Sequence, residues 1–436
     1  MRRRTQRFIE AQSAPHRNIL SRINPKMVII AAIVLVVALV LGGAYIWYVR
    51  TYGGARKISI YNETRADYEW KVLASDQGIT CDYLLSRTEN LMIDGGEDGT
   101  LIPSWLMIEG RLVTQPQEES GIYDLGDQAL LLKIYVRQSD RKSAKSLKKR
   151  VMNEIDISAQ PLDDQMLWLE AFLEYYSAYG TTSDLHKVED LTEAIFDENG
   201  EIRPVDLTYA EYHQNNLGLG EANEAPYNDE HASLEGRAGE GNESYASMRG
   251  VELSAIRLRL IRTLEDNDFL PEGSYERNLE IVRGGLISED IPLYAYAYNR
   301  NADGNIEYIF SYRHAAAISV SEAISSMRNL AEAGQLPDNS FAFIKNLMIN
   351  DGRILSDYYL VSGKVEGDES VDSYLDIMSI ALEKGDRDLY SAACAVEGAR
   401  VATYDGSPAL SMIFRTRNDR YVFYACENLG MILALM

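Results

Sequence analysis

The feature that most constrains this chain is an uncharged, mostly apolar run, Met27–Val49. A helix rises about 1.5 Å per residue, so a run of this length crosses the roughly 30 Å hydrocarbon core of a bilayer. Lys26 and Arg50 bound the run, and Tyr45 and Trp47 stand where an interfacial aromatic belt is expected. The pattern therefore predicts one transmembrane helix.

The residues before this helix set its orientation. Residues 1–26 carry seven basic side chains and a single acidic one, Glu10. Because cytoplasmic flanks are enriched in Lys and Arg, we expect this arm to lie in the cytoplasm and residues 51–436 to lie outside it, as in a signal-anchored protein of the cell membrane. A cleaved signal peptide is the competing interpretation. The long arm, the long apolar stretch and the lack of a small-x-small cleavage site favour the anchor.

Charge is unevenly distributed between the residues up to Arg50 and those after it. The formal net charge is −23, and the part after Arg50 holds 35 basic and 65 acidic residues. Such a surface repels nucleic acid and polyanionic glycans, because it lacks cations to neutralise them. The expected partners are the membrane and a neutral or cationic polysaccharide. Three cysteines are too few for a disulfide-stapled scaffold, whether or not Cys394 and Cys426 pair, so the fold must rest on a buried core.

After Arg50 the sequence is mostly helical. Leu125–Val136 is apolar on nearly every side, as expected of a helix buried all round, whereas Arg141–Ile155 and Leu253–Leu264 are amphipathic. Four more helices are predicted, three of which end at a glycine, the residue that best adopts the left-handed turn after a helix. They cover residues 165–179, 317–333, 371–384 and 420–435.

Buried and amphipathic helices alternate at spacings of about 40 to 60 residues, which indicates stacked helical hairpins. With about six pairs, the most economical fold is mainly α, an (α/α)6 toroid with inner helices ringed by outer ones. An open solenoid is the alternative, but its repeats should share a consensus. A strand is predicted over residues 202–207, and a β-hairpin over Leu293–Tyr298 and Ile306–Phe310. Residues 218–248 are expected to form a long loop, either at an active-site border or disordered.

Several segments are similar, in chain order, to motifs of one enzyme family. They are Leu125-Gly-Asp-Gln128, Ser158-Ala-Gln-Pro-Leu-Asp-Asp164 with the apolar helix after it, Asp206-Leu-Thr-Tyr209, Glu369–Tyr374 and Phe423–Leu435. The family has Ser-Glu-x-Gln at the first position and Ser-Ala-x-x-Asp-Asp at the second. Together the segments resemble the glycoside hydrolase family 8-like proteins, above all their exopolysaccharide-associated bacterial branch.

The resemblance covers residues 65–436 and implies the same toroid that helix spacing predicts. The expected organisation is a cytoplasmic arm (1–26), a transmembrane anchor (27–49), a linker (50–64) and a glycosidase-like ectodomain (65–436). The resemblance also implies inverting cleavage of β-linked glycans. One carboxylic acid protonates the leaving oxygen, and a carboxylate about 6.5–9.5 Å away activates water.

The position of the acid is open. When Gln128 is aligned with the family glutamine, the acidic Glu position falls on Gly126, next to Asp127. The family's Glu-x-x-x-Tyr spacing instead selects Glu119, four residues before Tyr123. Within a buried helix, Asp127 needs either a partner such as an arginine or a function. Nearby substitutes are Glu118 and Asp124.

The remaining candidates are implied by the resemblance or by position. Asp164 would be a catalytic or substrate-binding carboxylate with Asp163 beside it, although an aspartate before an apolar helix also acts as an N-cap. Asp206 and Tyr209 are candidate sugar contacts, and Tyr312 precedes an inner helix, where cleft-facing residues lie in a toroid. A further stripe, Tyr294, Tyr296 and Tyr298, is expected to pack within the hairpin.

The sequence contains no Cys or His cluster with metal-ligand spacing and no nucleotide-binding glycine motif, so neither a metal nor a cofactor is expected. Three functions remain possible. The first is an anchored glycoside hydrolase with Asp164 and either Glu119 or Asp127 as the working carboxylates. The second is a degenerate relative that binds glycan without cleaving it and assists exopolysaccharide assembly or export machinery. The third is an unrelated helical-repeat ectodomain.

Overall fold

The computed structural model describes residues 25–61, 64–93, 101–109, 118–119, 123–207, 249–310, 317–360, 362–403, 407, 409–417 and 420–436. The chain divides into two compact units. The first runs to Arg56 and includes Thr181–Ser183, and the second holds the rest of the chain from Lys57 onward.

The first unit is built on one long helix, α1 (Pro25–Tyr52), which contains the predicted apolar run. Side chains in this helix are described for residues 33–46, 48 and 51. The large apolar ones are exposed, as Leu39 and Ile46 show at 67 % each. Among the side chains that the structure describes, no helix combines the length and the hydropathy needed to cross a bilayer.

The chain from Tyr68 onward is mainly helical. Its described helices are α2 (Tyr68–Asp76), α3 (Cys81–Met92), α4 (Leu125–Arg137), α5 (Arg141–Glu154), α6 (Leu162–Tyr179), α7 (Thr182–Ile195), α8 (Leu258–Asp266), α9 (Ser274–Gly284), α10 (Val320–Glu332), α11 (Asp338–Asn346), α12 (Ser373–Lys384), α13 (Arg387–Ala399) and α14 (Ala425–Leu435).

Its described strands are short. They are β1 (Trp105–Glu109), β2 (Glu118–Glu119), β3 (Val205–Asp206), β4 (Arg249–Glu252), β5 (Ala297–Arg300), β6 (Ile306–Ile309), β7 (Ala317–Ser319), β8 (Leu355–Tyr359), β9 (Lys364–Glu369), β10 (Arg415–Arg417) and β11 (Arg420–Tyr424). They form three antiparallel sheets with the orders β10-β11-β1-β2, β3-β4-β5-β6 and β7-β8-β9.

Within the described part of the chain, six helices form a closed inner ring. In order they are α4, α6, α8 with the 3₁₀ turn Leu253–Ala255 before it, α10, α12 and α14, and α14 packs back against α4. Outer helices cover this ring: α5 packs on α4, α9 on α8, α11 on α10, α13 on α12 and α3 on α14. The last inner helix thus pairs with an outer helix from the start of the domain. This ring closure rules out the open solenoid and confirms the predicted arrangement of helical hairpins.

The difference between inner and outer helices follows from their sequences. In α6, Trp168 and Phe172 are fully buried and their rings stack with centroids 6.3 Å apart. In α5, only Ala144, Leu147 and Val151 are buried, and charged side chains cover the other faces. A helix that is apolar all round needs neighbours on every side, whereas an amphipathic helix needs them on one side.

Several predicted boundaries are wrong. Residues 317–319 and 420–424 are strands rather than the first turns of helices, because β7 pairs with β8 and β11 pairs with both β1 and β10. The helix expected from Leu253 begins at Leu258, after a 3₁₀ turn. Sheet pairing overrides local helical periodicity at these positions.

Other predictions hold in part. The hairpin β5–β6 forms as expected, although its first strand begins at Ala297 rather than Leu293. In the predicted strand 202–207, Ile202 bridges Phe196 and β3 pairs with β4. The long loop 218–248 lies outside the described residues. All three cysteines are free.

Candidate functional site

A cavity of about 420 Å³ opens at one end of the inner ring. Residues from the first to the last turns of α4, α12 and α14 line it, together with the first turns of α6, the end of α10, the start of β1 and the segment before α8. Its charged lining among the described residues consists of Asp124, Asp127, Asp163, Asp164, Glu332, Asp372, Asp376, Glu427, Arg65, Lys133, Arg137, Arg257 and Arg328. Helix N-termini carry partial positive charge, which helps a ring of carboxylates to coexist here.

Three of these residues form what we call the aspartate cluster: Asp124, Asp127 and Asp164. The Asp124 carboxylate caps α4 by accepting a hydrogen bond from the Gly126 amide at 3.1 Å. Asp127 and Asp164 are buried, at 5 % and 9 % exposure, and the Asp164 Oδ2 atom has no hydrogen-bond partner among the described residues. Ser104 donates a hydrogen bond to Asp127, so the partner of this carboxylate is a hydroxyl rather than the arginine considered from the sequence.

Burial raises the pKa of Asp164 well above its usual range, and the charge of Asp124 raises it further. The same two causes, burial first, raise the pKa of Asp127, which the Ser104 hydrogen bond partly offsets. Adjacent buried carboxyl groups cannot all ionise without mutual repulsion. Burial and the neighbouring charge thus favour the protonated forms of Asp127 and Asp164, and a general acid needs a raised pKa of this kind.

Gly126 explains how the cluster is packed. A Cβ atom placed on this residue would lie 2.4 Å from the Asp164 Oδ1 atom. The Asp164 carboxylate thus occupies the space that a side chain at position 126 would need. This is the position where the family resemblance leads one to expect the acidic glutamate.

Asp163 and Asp164 are adjacent in sequence, but their side chains differ in exposure and in their neighbours. Asp163 is about half exposed and lies 3.3 Å from the Arg257 guanidinium, which also contacts Glu170 at 3.2 Å. Neither aspartate is the N-cap of α6, because that position is Pro161 and both lie in the first turn. The capping explanation for this pair is therefore wrong, since both carboxylates face the cavity instead.

The opposite wall carries a second pair of carboxylates that sequence reasoning missed. Helix α12 lies across the ring from α6, three helices away in either direction. Asp372, the N-cap residue of α12, is 2.5 Å from Arg415, and Asp376 is 2.6 Å from Arg328. Their only signal in the sequence was their place in the segment Glu369–Tyr374 and the helix after it. The cavity thus has buried carboxyls with raised pKa values on one side and arginine-paired carboxyls on the other.

Ion pairs close the floor of the cavity. Lys133, which is 2 % exposed, lies 3.3 Å from Glu170 and 3.5 Å from Glu174, and Arg137 lies 3.3 Å from Glu174. These pairs link α4 to α6 below the aspartate cluster. These buried cations and anions neutralise one another. The carboxylates at the rim therefore set the electrostatic character of the cavity.

A further buried carboxyl was also missed. Glu252, at the end of β4, accepts a hydrogen bond from the Tyr296 hydroxyl at 2.5 Å. Burial and the neighbouring charge of Glu322 raise the pKa of Glu252 to about 7, and Asp163 adds a smaller effect. A single glutamate before a short 3₁₀ turn gives no sequence pattern that would single it out.

The other sequence candidates fall into three groups. Asp206 is exposed in β3 and lies 3.4 Å from Arg249, away from the cavity lining, and Tyr123 is 41 % exposed. The backbone of Glu119 pairs with Leu106 in β2, but its side chain lies outside the described residues. Tyr209 and Tyr312 also lie outside them. The stripe Tyr294, Tyr296 and Tyr298 is buried, as expected of packing residues.

Comparison with known proteins supports the fold. No family model and no curated sequence matches this chain. A structure described as a novel alpha-amylase from Clostridium perfringens aligns with a TM-score of 0.58 at 15 % identity, covering 83 % of this chain and 97 % of that one. This alignment covers most of both chains and supports the closed ring of helices described above.

Two further structures align with lower scores. PssZ from Listeria monocytogenes has a TM-score of 0.46 at 9 % identity over 87 % of this chain and 97 % of its own. A GH8 endo-beta-1,4-glucanase from an Achatina fulica gut metagenomic library has 0.45 at 11 %, over 81 % and 96 %. At these scores, neither carries an argument about this chain.

Proposed function

We propose that this chain is a membrane-anchored glycoside hydrolase that cleaves a β-linked polysaccharide outside the cytoplasm with inversion. The observation that carries the proposal is the cavity in which the buried carboxyls of Asp127 and Asp164 face the arginine-paired Asp372 and Asp376 across the ring. Hydrolysis of a glycosidic bond needs a group that holds a proton and a group that has lost one, separated by a gap. The toroid supplies both from the first turns of opposite inner helices.

In this proposal Asp164 is the general acid and Asp127 supports it. The raised pKa of Asp164 favours its protonated form. The Asp164 Oδ2 atom has no partner in the described residues that would compete for a substrate oxygen. Asp372 is the base, because it lines the opposite wall of the cavity and pairs with Arg415 at 2.5 Å. A water between Asp372 and the anomeric carbon would attack from the side opposite the leaving oxygen, which inverts the configuration.

A second function is favoured by one observation. Gly126 stands where the resemblance places the acidic glutamate, and Asp164 fills that space. If the shorter aspartate does not reach the glycosidic oxygen, the same cavity binds glycan without cleaving it. The chain would then assist exopolysaccharide assembly or export at the membrane.

The glycosidic bond that is cleaved could be α-linked or β-linked. The solved structure with a TM-score of 0.58 is described as an alpha-amylase, an enzyme of α-linked glucans, whereas the family 8 resemblance favours β-linked chains. We keep the β-linked substrate as the proposal, and its test includes an α-glucan.

The anchor is part of the proposal. It is supported by the apolar run Met27–Val49, the basic arm before it and the exposed apolar side chains of α1. Full-length protein is expected in the membrane fraction after carbonate washing and in solution after deletion of residues 1–49. Full-length protein in the soluble fraction would contradict the anchor.

The catalytic proposal is tested by reducing-end release. Detergent-solubilised full-length protein would be incubated with β-glucans, xylan, chitosan and an α-glucan. We expect release from a β-linked polymer, and Asp164→Asn should lower the rate at least about a thousandfold, because it removes the proton donor. Asp190→Asn, an exposed change at an ion pair with Lys187, is the matched control and should keep the wild-type rate.

Each outcome decides between the functions. Release with an inverted anomer in the first product, lost in Asp164→Asn only, supports the hydrolase. Retention on a polymer without release supports the binding protein. Release that survives Asp164→Asn contradicts the assigned acid.

A further inference from the structure

The segment that precedes α2 is fastened to the end of an inner helix. The Ser59 amide donates to the Asn267 side chain at 2.9 Å, and the Asn267 side-chain amide donates back to the Ser59 carbonyl at 2.7 Å. The Tyr61 amide donates to the Thr263 hydroxyl at 3.3 Å. Thr263 lies in the last turn of α8, and Asn267 directly follows this helix. The chain therefore joins the ring where α8 ends.

The end of α8 lies at the same end of the ring as the ends of the other inner helices. Arg259, in the first turn of α8, is 2.6 Å from Glu383 and 3.9 Å from Glu332. These glutamates lie in the last turns of α12 and α10. The aspartate cluster lies at the opposite end, where α4 and α6 begin. The inner helices therefore separate the aspartate cluster from the point where the chain enters the ring.

Helices α2 and α3 also lie at this entry end. Lys71 in α2 donates to the carbonyl of Met436, the residue after α14, at 3.4 Å. The sulfur of Cys81, the first residue of α3, lies 3.9 Å from the Ile432 carbonyl in α14. Both contacts are with the last residues of the final inner helix, so the starts of α2 and α3 form part of this surface.

Large side chains are exposed at this end of the ring. Tyr68, the first residue of α2, is 81 % exposed, and Val72, one turn later, is 37 % exposed. Tyr83, in the first turn of α3, is 65 % exposed, and Tyr61 is 40 % exposed with the Arg262 guanidinium 4.7 Å from its ring centre. We call Tyr61, Tyr68, Val72 and Tyr83 the anchor-side face. Tyrosine is enriched at membrane–water interfaces, because its ring is apolar and its hydroxyl is polar.

The anchor-side face is joined to the predicted anchor by a short stretch of chain. Only Gly53–Arg56 stand between the end of α1 and Lys57, where the second unit begins. An extended chain spans at most about 3.5 Å per residue. Residues 51–65 carry three basic side chains and one acidic one, although the chain after Arg50 is acidic as a whole. Basic residues beside a membrane helix attract anionic lipid headgroups, so a lipid surface is the partner that fits both the position and the chemistry.

We infer that the anchor-side face rests on the surface of the bilayer, with its tyrosines at the level of the lipid headgroups. The aspartate cluster then lies on the side of the ring that is turned away from the bilayer, where a polymer outside the membrane can reach it. This inference rests on the proposed anchor, and it does not depend on hydrolysis.

The test measures how close a tryptophan lies to lipid. Full-length protein is reconstituted into vesicles of phosphatidylcholine and phosphatidylglycerol, with or without bromine on the acyl chains near the headgroups, since bromine quenches the emission of a tryptophan that it contacts. Tyr68→Trp and, separately, Tyr83→Trp place a tryptophan on the anchor-side face. Tyr123→Trp is the matched control, because Tyr123 is also exposed and directly precedes Asp124 of the aspartate cluster.

The difference in emission between each variant and the wild type isolates the added tryptophan. We expect brominated lipid to quench at least about half of it in Tyr68→Trp and Tyr83→Trp and less than about a tenth in Tyr123→Trp, because residues at the interface reach about 5–10 Å into the headgroup boundary. All three positions are exposed, so the thermal midpoints should stay near that of the wild type.

The wild type separates this inference from the anchor on which it rests. Its own Trp47, within the apolar run, should be quenched if the anchor inserts. Quenching of the wild type without quenching of the added tryptophan in Tyr68→Trp and Tyr83→Trp overturns the inference and leaves the anchor standing. Equal quenching in Tyr123→Trp also overturns it, since the ring would then have no preferred face. A wild type that brominated lipid does not quench overturns the anchor and the inference together.

Discussion

At the scale of single residues, the cavity is defined by carboxyl groups in two different surroundings. Asp164 and Asp127 are buried beside Asp124, and their pKa values are raised. Asp372 and Asp376 stand 2.5 and 2.6 Å from guanidinium groups on the far side. Burial thus distinguishes the carboxyls of one wall, and ion pairing distinguishes those of the other.

Glu252, which does not line the cavity, is a second carboxyl whose pKa is raised by burial. Its pKa is raised from 4.5 to about 7, so the folded state binds its proton more tightly than the unfolded state. The resulting stabilisation is present below pH 4.5 and is lost as the pH rises through about 7. Relative to Glu252→Gln, the wild type should lose at most about 3 kcal/mol of unfolding free energy over that interval.

Thermal unfolding of both proteins at several pH values between 4 and 8 checks this prediction. The difference in midpoint between Glu252→Gln and wild type should move in favour of the variant as the pH rises. The exposed Asp190→Asn controls for the change in net charge. A difference that is constant with pH would mean that Glu252 titrates alike in both states.

Gly126 leaves the space that the Asp164 carboxylate occupies. Alanine normally stabilises a helix by up to about 1 kcal/mol relative to glycine. Here its Cβ atom would lie 2.4 Å from Asp164 Oδ1, so the carboxylate must move. Because a misplacement of about 1 Å can cost a hundredfold in rate, Gly126→Ala should lower hydrolysis at least about tenfold while the protein stays folded.

The matched control is Gly430→Ala in α14. Its Cβ atom would meet Leu375 Cδ1 at 2.7 Å, the end of a flexible apolar side chain that can turn away. Rates of reducing-end release for both variants would be compared with wild type. Equal rates for Gly126→Ala and wild type would show that the position of the Asp164 carboxylate does not limit the reaction.

At the scale of secondary-structure elements, Asp124 at the N-terminus of α4 has two roles. Asp124 caps the helix through the Gly126 amide and raises the pKa of both buried aspartates by its charge. Asparagine caps helices about as well as aspartate, so Asp124→Asn removes the charge and keeps the cap. The pKa of the general acid should fall in this variant.

The pH dependence of kcat/KM reports that change, because its alkaline limb follows the acid of the free enzyme. In Asp124→Asn the alkaline limb should move to lower pH, with the thermal midpoint near that of the wild type. An unchanged limb would mean that Asp124 does not act on the acid. A shift to higher pH would contradict the electrostatic account altogether.

The sequence predicts elements well where one pattern dominates. Helices α4 and α6 were expected from their apolar content, and the left-handed glycines Gly334 and Gly385 end α10 and α12 as expected. It fails at residues 317–319 and 420–424, where strand pairing with distant segments sets the local structure. Such pairing depends on which segments the ring brings together, and no local pattern encodes that.

At the scale of the whole molecule, ring closure builds the site. Asp127, Asp164 and Asp372 are far apart in sequence, and they line one cavity because α14 returns to α4 and places α6 opposite α12. The sequence motifs identified Asp127, Asp163 and Asp164. They did not identify Asp372 or Glu252, whose significance comes from neighbours that only the closed ring supplies.

The central claim is that the aspartate cluster of an anchored toroid cleaves a glycan. Reducing-end release by the full-length protein, measured beside Asp164→Asn and Asp190→Asn, tests it most directly. The account predicts release from a β-linked polymer that Asp164→Asn abolishes and Asp190→Asn preserves. Release of the same size from all three proteins, or from none of them on any polymer, would contradict it.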